Sequence, residues 1–444
     1  MTKLLADRYR MQGSFDRLVE GLDPAWVDEA LEASGTATVR QRRLPAESVV
    51  TLVLGMAIYR DMSITEVVDH LRLALPVGGK RSVAPSAPTQ ARARLGDEPV
   101  QFLFERCARK WGHEAARRHE WRGLALYGVD GTTVRVPDSP ANRATFGAHN
   151  AGGDRGAGSY PLLRLVTLMA LRTHLLAAAR FGSFKTGELS LAAELWQEVP
   201  DQSLCIVDRA FLDVTTLNGL RESGTERHWL TRGKTKTKLK LVKKLGRNDE
   251  LVEIVLSKAT RHAHPEAPKQ WLARAVRYQR PGFAPQLLLT SMLDPKRWPA
   301  AELAALYHER WEMELGYDEV KTEMLEREES LPSQAPRGVA QELWGLGLAY
   351  NLVRLEMEKV AKEAGVPPNR ISFVLSLHFI RNYWYVSALA PSKAGKRLAK
   401  LRGDLSRFVL PERRSKRVYP RAVKLKMSSY DRKRPAKALT ERPN

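Results

Sequence analysis

Tyr307, Arg310, Glu314 and Lys321 stand at offsets of 0, 3, 7 and 14 residues. An α-helix turns by about 100° per residue, so one unbroken helix brings all four within roughly 60° of each other. The stripe then carries a phenol, a guanidinium, a carboxylate and an ammonium. A carboxylate between two cations suits a site that holds a divalent metal against a phosphate. Glu314 would bind the ion, while Arg310 and Lys321 grip phosphate oxygens that the ion does not neutralise. The same four residues also fit a solvated ion-pair face, so the metal reading requires further acidic ligands elsewhere in the chain.

Two aspartates answer that requirement. Leu124–Val129 reads as a short apolar strand ending at Asp130, and Thr132–Val136 continues it after Gly131. Ser203–Val207 is a second apolar strand, and it too ends at an acid, Asp208. An acid where a strand breaks is carried to the rim of a sheet, although many such aspartates only cap turns. The repetition carries more weight than either residue.

The elements around these residues must bring them together. Pro299–Lys321 is predicted as one long helix, with Ala300, Glu302, Leu303 and Ala304 favouring helix and proline tolerated at its start. Gly316 inside it costs only about 1 kcal/mol. Strands are expected over Leu165–Leu171 and Leu175–Ala179, joined as a hairpin around Thr173 and His174. Helices follow over Thr186–Trp196 and Asp213–Glu222, then a strand over His228–Thr231. This order predicts an α/β chain with a ribonuclease-H-like mixed sheet, in which carboxylates from the first strand, the fourth strand and a late helix converge.

Residues 233 to 293 read as an inserted β subdomain with strands over Leu251–Leu256 and Gln286–Thr290. Lys234, Lys236, Lys238 and Lys240 alternate with other residues, which puts four amines on one face of a strand. That face is either a DNA-facing edge or an edge made unattractive to other strands. Residues 1 to about 110 read as helical, with Asp23 before Pro24 and a capping box from Ser63 to Glu66. Arg92 and Arg94 lie on a basic helix that opens at Gln90, and a helix-turn-helix-like DNA reader and a small packing domain both fit it. Further helices are expected over Val339–Lys362 and Ile371–Ala388. The expected division is 1–110 for a helical N-terminal region, 111–232 and 294–338 for the mixed-sheet core, 233–293 for the inserted β subdomain, 339–390 for a helical region and 391–444 for a basic tail.

Composition points to the partner. The chain carries 72 Lys and Arg against 50 Asp and Glu, a formal charge of +22 over 444 residues. Such an excess implies a polyanion, and double-stranded DNA is the first candidate. From residue 391 onward 18 Lys or Arg face 4 Asp or Glu, so the tail holds a net charge of +14. Arg413, Arg414, Lys416 and Arg417 make it a candidate for phosphate contacts without base readout. Only Cys107 and Cys205 are present, with no CxxC pair, which fits a reducing cytoplasm and excludes a disulfide scaffold. No run of 18 uncharged apolar residues predicts a membrane span. The glycines from Gly147 to Gly158 lack the spacing of a nucleotide-binding loop.

Tyr307, two residues, Arg310, three residues, Glu314, six residues, Lys321 resembles the late signature of bacterial insertion-element transposases of the DDE class, the family of insertion element four. Val207-Asp208-Arg209-Ala210-Phe211 resembles that family's middle motif, and Tyr127-Gly128-Val129-Asp130-Gly131-Thr132 resembles its first. Residues 14 to about 95 are similar to the helical N-terminal domain found in part of the family. The resemblance implies Asp130, Asp208 and Glu314 as the catalytic, metal-binding triad for two Mg²⁺ ions, with Mn²⁺ substituting. It implies Tyr307, Arg310 and Lys321 as DNA contacts beside the cut, with Arg209 shaping the site against the DNA. It also implies binding of terminal inverted repeats, a homodimer that pairs two ends, strand transfer into target DNA, and work at the nucleoid of a bacterial cytoplasm. A metal-dependent nuclease without strand transfer and an inactive end-binding repressor share most of these features. An aromatic that holds a flipped base is expected in the family; Trp229 and Trp298 lie in the right region, and neither is assigned to it.

Overall fold

A computed structural model describes residues 22–37, 43–75, 82–148, 160–280, 284–326, 330–390 and 393–411. Its centre is a mixed sheet of nine strands in the order β3-β2-β1-β4-β5-β9-β8-β7-β6. The strands are β1 Ala125–Arg135, β2 Leu162–Ala170, β3 Leu176–Ser183, β4 Ser203–Val207, β5 Arg227–Arg232, β6 Leu239–Gly246, β7 Asp249–Ile254, β8 Trp271–Tyr278 and β9 Gln286–Thr290. β1, β4 and β5 run parallel, whereas β1–β2–β3 and β5–β9–β8–β7–β6 pair antiparallel.

Successive side chains on a strand point to opposite faces, and here each face feeds its own core. Leu126, Leu204, Ile206, Leu165 and Met169 join one hydrophobic core with the N-terminal helices and the helix Pro336–Ala364. Tyr127, Val129, Cys205, Val207 and Val166 join the other, with Leu191 and Ala192 of the helix Glu188–Ala193 and Leu217 of the helix Val214–Glu222. Because both faces are covered, β4 is buried at every position and reads as an unbroken apolar run. Helix, sheet and helix thus form three layers.

The N-terminal helices are packed onto this centre. Asp23 caps the helix Pro24–Ala33, and the Ser63–Glu66 capping box forms in both directions. The helix Glu98–Arg118 runs straight through the boundary expected at residue 110 and lies on β3, so close that Gly112 meets Ala177. The helix Pro336–Ala364 starts with proline at its first turn and stops at Gly365, whose φ of 65° is left-handed. Its Asn351 side chain satisfies both the N–H and the carbonyl of Leu176 at 2.8 and 2.9 Å, closing part of the β3 edge. Among the described residues no helix is long and apolar enough to cross a membrane.

Strands β6 to β9 extend the central sheet through the β5–β9 pairing. Arg274 on β8 is fully buried, pairs with Asp249 through two hydrogen bonds of 2.7 and 2.6 Å, and donates to the Trp298 carbonyl at 2.6 Å. That last bond fastens the insertion to the segment leading into the signature helix. The expected lysine-bearing strand is corrected here. Lys234 and Lys236 occupy a turn, because Thr237 folds back on Lys234 through N–H bonds in both directions; Lys238 follows it just before β6, and only Lys240 lies on a strand. All four remain exposed or half-exposed.

Candidate active site

Two corrections fix the geometry of the acids. β1 does not break at Asp130: it runs unbroken to Arg135, because its pairing with β2 continues past Asp130↔Thr167. What ends is its pairing with β4, whose last partners are Val129↔Val207. Asp130 and Asp208 directly follow that last pair of neighbouring parallel strands, so the register sets them side by side. Asp130 Oδ1 accepts the Gly131 N–H at 2.8 Å. Burial pushes the Asp130 carboxyl up to about 6, against the pull of the Gly131 N–H and Arg310, with the charges of Asp208 and Glu188 adding to the rise.

The signature segment is continuous but not one regular α-helix. It is α-helical over Ala300–Leu306, 3₁₀ over Tyr307–Arg310, α-helical again over Trp311–Asp318 and π-helical over Glu319–Met324. The tighter and wider turns shift the bearings of Tyr307 and Lys321 from those of a uniform helix. Arg310 and Glu314 still meet one turn apart, Nη2 to Oε1 at 2.7 Å, with the guanidinium 17% and the carboxylate 38% exposed. Arg310 also feels the charge of Asp208. Tyr307 is buried, its hydroxyl has no hydrogen-bond partner among the described residues, and burial pushes that hydroxyl up to about 12. Lys321 is half-buried on the π turn.

This rod lies against the face of the sheet toward which Asp130 points. Its Met313 covers Gly128 of β1, and Gly316 sits against Met169 of β2. Tyr317, one turn beyond Glu314, reaches the Asp130 carbonyl oxygen at 2.5 Å and the Thr167 hydroxyl at 2.9 Å. Behind the rod, Glu312 and Glu319 enter a buried cluster with His174, Tyr350 and Arg354. Front and back of one helix are thereby separated: the front presents the Arg310–Glu314 pair, and the back anchors the rod.

Other sequence candidates fall differently. Arg209 is exposed in the 3₁₀ turn after Asp208, and Phe211 is buried beneath it. Arg92 is 12% exposed and bound to Glu342 at 2.7 Å and Gln341 at 2.8 Å, so it holds the long helix and is withdrawn as a DNA contact. Arg94 is exposed on the same helix. Trp229 and Trp298 are both buried in the core. Arg413, Arg414, Lys416 and Arg417 lie outside the described residues. Sequence reading passed over Tyr317, over Trp311 at 43% exposure beside Arg310, and over Glu188. Glu188 pairs with Arg164 at 2.5 Å and crosses Gly131, where an added Cβ would lie 2.7 Å from its Cγ. The glycine after Asp130 was the available signal for that close approach.

Residues 12–105 match the family described as the insertion element 4 transposase N-terminal region, and residues 121–352 match the transposase DDE domain. A relative in Escherichia coli K12, the transposase InsG for insertion sequence element IS4, is 37% identical over 429 residues, 96% of this chain and 96% of its own. The chain belongs to this family of DDE transposases. The putative transposase InsZ of the same organism is 37% identical over 212 residues, 48% of this chain and 69% of its own. Among solved structures, a piggyBac transposase synaptic complex with hairpin DNA covers 91% of this chain and 85% of its own at 13% identity and a TM-score of 0.38, too loose a likeness to argue from.

The protein is a DNA transposase, and its DDE domain implies dependence on a divalent metal. The side chains fit such an ion: carboxylate oxygens are the donors that hard cations prefer, and Asp130, whose carboxyl burial raises, is an acid that a nearby cation would favour in its ionised form. Among the described residues no three acidic, histidine or cysteine side chains already form a metal cage. In the transposase as described, Glu314 is turned to Arg310.

Proposed function

We propose that this transposase binds the terminal inverted repeats of an insertion sequence, cuts at the ends and joins them to target DNA. The supporting observation is the parallel register that sets Asp130 beside Asp208, with the Arg310–Glu314 pair on a rod packed against the same face. The strand order β3-β2-β1-β4-β5 supports a ribonuclease-H-like core. In this reading Asp130, Asp208 and Glu314 would hold two Mg²⁺ ions, with Mn²⁺ able to substitute. When bound, the ions activate a water or a DNA 3′-hydroxyl and stabilise the leaving oxygen of the phosphodiester.

The chain's own groups supply the rest. Arg310 stays charged and partly enclosed, and its N–H groups would serve a phosphate oxygen if Glu314 were to bind a metal ion instead. The Tyr307 hydroxyl keeps its proton at neutral pH and has no partner among the described residues, so it would donate to a second phosphate oxygen if DNA binding uncovered it. Lys321 adds charge farther along the rod, and Trp311 offers a flat apolar face beside the cut. Arg209, Arg94, Lys234, Lys236, Lys238 and Lys240 make peripheral backbone contacts. Residues 1–110 bind the DNA end, the basic tail from 391 adds non-specific affinity, and two copies pair two ends at the nucleoid of a bacterial cytoplasm.

The test is a cleavage and strand-transfer assay with Mg²⁺ or Mn²⁺ on DNA from the flanks of the encoding gene, wild type beside Glu314→Gln. Joined donor–target product from the wild type alone supports the reading. Cut but unjoined DNA favours a nuclease, and joined product from Glu314→Gln removes that residue from the triad.

A further inference from the structure

Tyr317 links the rod that carries Glu314 to the backbone of Asp130. It sits on the α-helical turn that carries Glu314, and its phenol is buried. A phenol has one proton to give, and the Asp130 carbonyl can only accept, so the Tyr317 hydroxyl donates there at 2.5 Å. Thr167, which can donate as well as accept, then gives its own proton to the Tyr317 oxygen at 2.9 Å. Thr167 is the cross-strand partner of Asp130. The chain of contacts therefore runs from β2 through the phenol to the backbone of Asp130, at the point where β1 no longer has β4 as a neighbour.

That position matters because Asp130 has pairing on one side only. β2 holds its backbone from one flank, and β4 has already ended at Val207. Close packing brings the rod to the sheet, with Met313 over Gly128 and Met169 against Gly316, but methionine contacts slide easily. The hydrogen bond from Tyr317 is directional, and it ties the turn that carries Glu314 to the Asp130 backbone.

We propose that Tyr317, oriented by Thr167, is a positioning residue that sets the distance between the Asp130 and Glu314 carboxylates for metal loading. This rests on the assignment of those two acids made above, and it adds a residue that touches neither metal nor DNA. Its action is on the separation of ligands, so it governs metal affinity and turnover and leaves binding of the DNA end alone.

The experiment compares full-length wild type with Tyr317→Phe, Thr167→Val and the double variant, and with Asp130→Asn as a control. Mn²⁺ binding to the DNA-free protein is followed by the paramagnetic resonance of free Mn²⁺; end binding, cleavage rate and thermal midpoint are measured in parallel. Expected is a 10- to 100-fold loss in Mn²⁺ affinity and in cleavage rate for Tyr317→Phe, the scale typical of residues that orient a metal ligand, with end binding unchanged. Thr167→Val gives a smaller loss, and the double variant is no worse than Tyr317→Phe. A lowered thermal midpoint with wild-type Mn²⁺ affinity and cleavage rate overturns the proposal and leaves Tyr317 a packing residue. Should Tyr317→Phe fail to fold, Thr167→Val decides by the same two readouts. Cleavage retained by Asp130→Asn would instead show that the acid assignment is at fault.

Discussion

Arg310 closes on Glu314 across one helical turn, with Nη2 2.7 Å from Oε1. A partly exposed pair of this kind contributes about 0.2–1 kcal/mol, so it holds Glu314 in place without locking it. Arg310→Met is expected to lower stability by less than about 1 kcal/mol while cleavage falls sharply. Divalent-ion affinity should stay level or rise, because Glu314 no longer has a competing partner. Calorimetry with Mg²⁺ checks this, and weaker binding would mean that Arg310 supports the metal site.

Asp130 ties stability to pH. Its carboxyl titrates at about 6 in the folded protein against a usual value of 3.8, so between these values the folded state holds more protons than the unfolded state. Its contribution is therefore neutral below about pH 4 and becomes destabilising as pH rises to about 6, reaching about 3 kcal/mol above that. In EDTA, Asp130→Asn should match the wild type near pH 4 and exceed it by that margin at pH 7. A difference that stays flat with pH in denaturant titrations would contradict the buried, repelled carboxylate.

Gly112 and Gly316 both sit where helix meets sheet, and they should respond differently to alanine. A Cβ on Gly112 would stand 2.7 Å from the Ala177 Cα, which is backbone of a paired strand and cannot yield. On Gly316 it meets the end of the flexible Met169 side chain. Alanine gains about 1 kcal/mol of helix propensity at either position. Gly316→Ala should thus fall within about 1 kcal/mol of wild type, whereas Gly112→Ala loses about 1–3 kcal/mol by overpacking. Unfolding midpoints in urea distinguish the two.

The anchor behind the rod is sensitive to single changes. Arg354 is fully buried, bonds Glu319 at 2.5 Å and donates to His174 Nδ1, while His174 Nε2 meets Glu312 at 2.8 Å. Glu312 can accept and Arg354 can only donate, so the imidazole proton belongs on Nε2. Burial works to raise the Glu319 carboxyl, and Arg354 outweighs it and holds it below its usual range. Arg354→Met leaves that carboxylate buried and unpaired, at a cost of about 3–5 kcal/mol. Arg354→Met with Glu319→Gln should recover much of the loss in a double-mutant cycle.

Ending the chain at Pro411 removes 12 Lys and Arg along with 3 Asp and Glu. Non-specific DNA affinity should fall, and every phosphate that the tail no longer neutralises should take about 0.9 from the slope of log affinity against log salt. Filter binding across a salt series measures the slope, and an unchanged value removes the tail from the DNA interface.

Much of this molecule was legible before folding because local rules decided it. The Ser63–Glu66 capping box, the β2–β3 hairpin around His174, the apolar run of β4 and the spacing from Tyr307 to Lys321 are properties of a few adjacent residues. Charge and the three motifs carried the family assignment. What local rules could not decide was pairing. Whether β1 breaks at Asp130 depends on β2, which keeps it extended, and whether Lys234–Lys238 form a strand depends on Thr237 finding Lys234. Arg92 reads as a free cation until Glu342, 250 residues away, takes it. The 3₁₀ and π turns that re-aim the signature, and the Tyr317 bond to Asp130, arise where a helix is pressed onto two strands at once. Sequence proposed the acids; the register of β1 with β4 and the packing of the rod set where they stand.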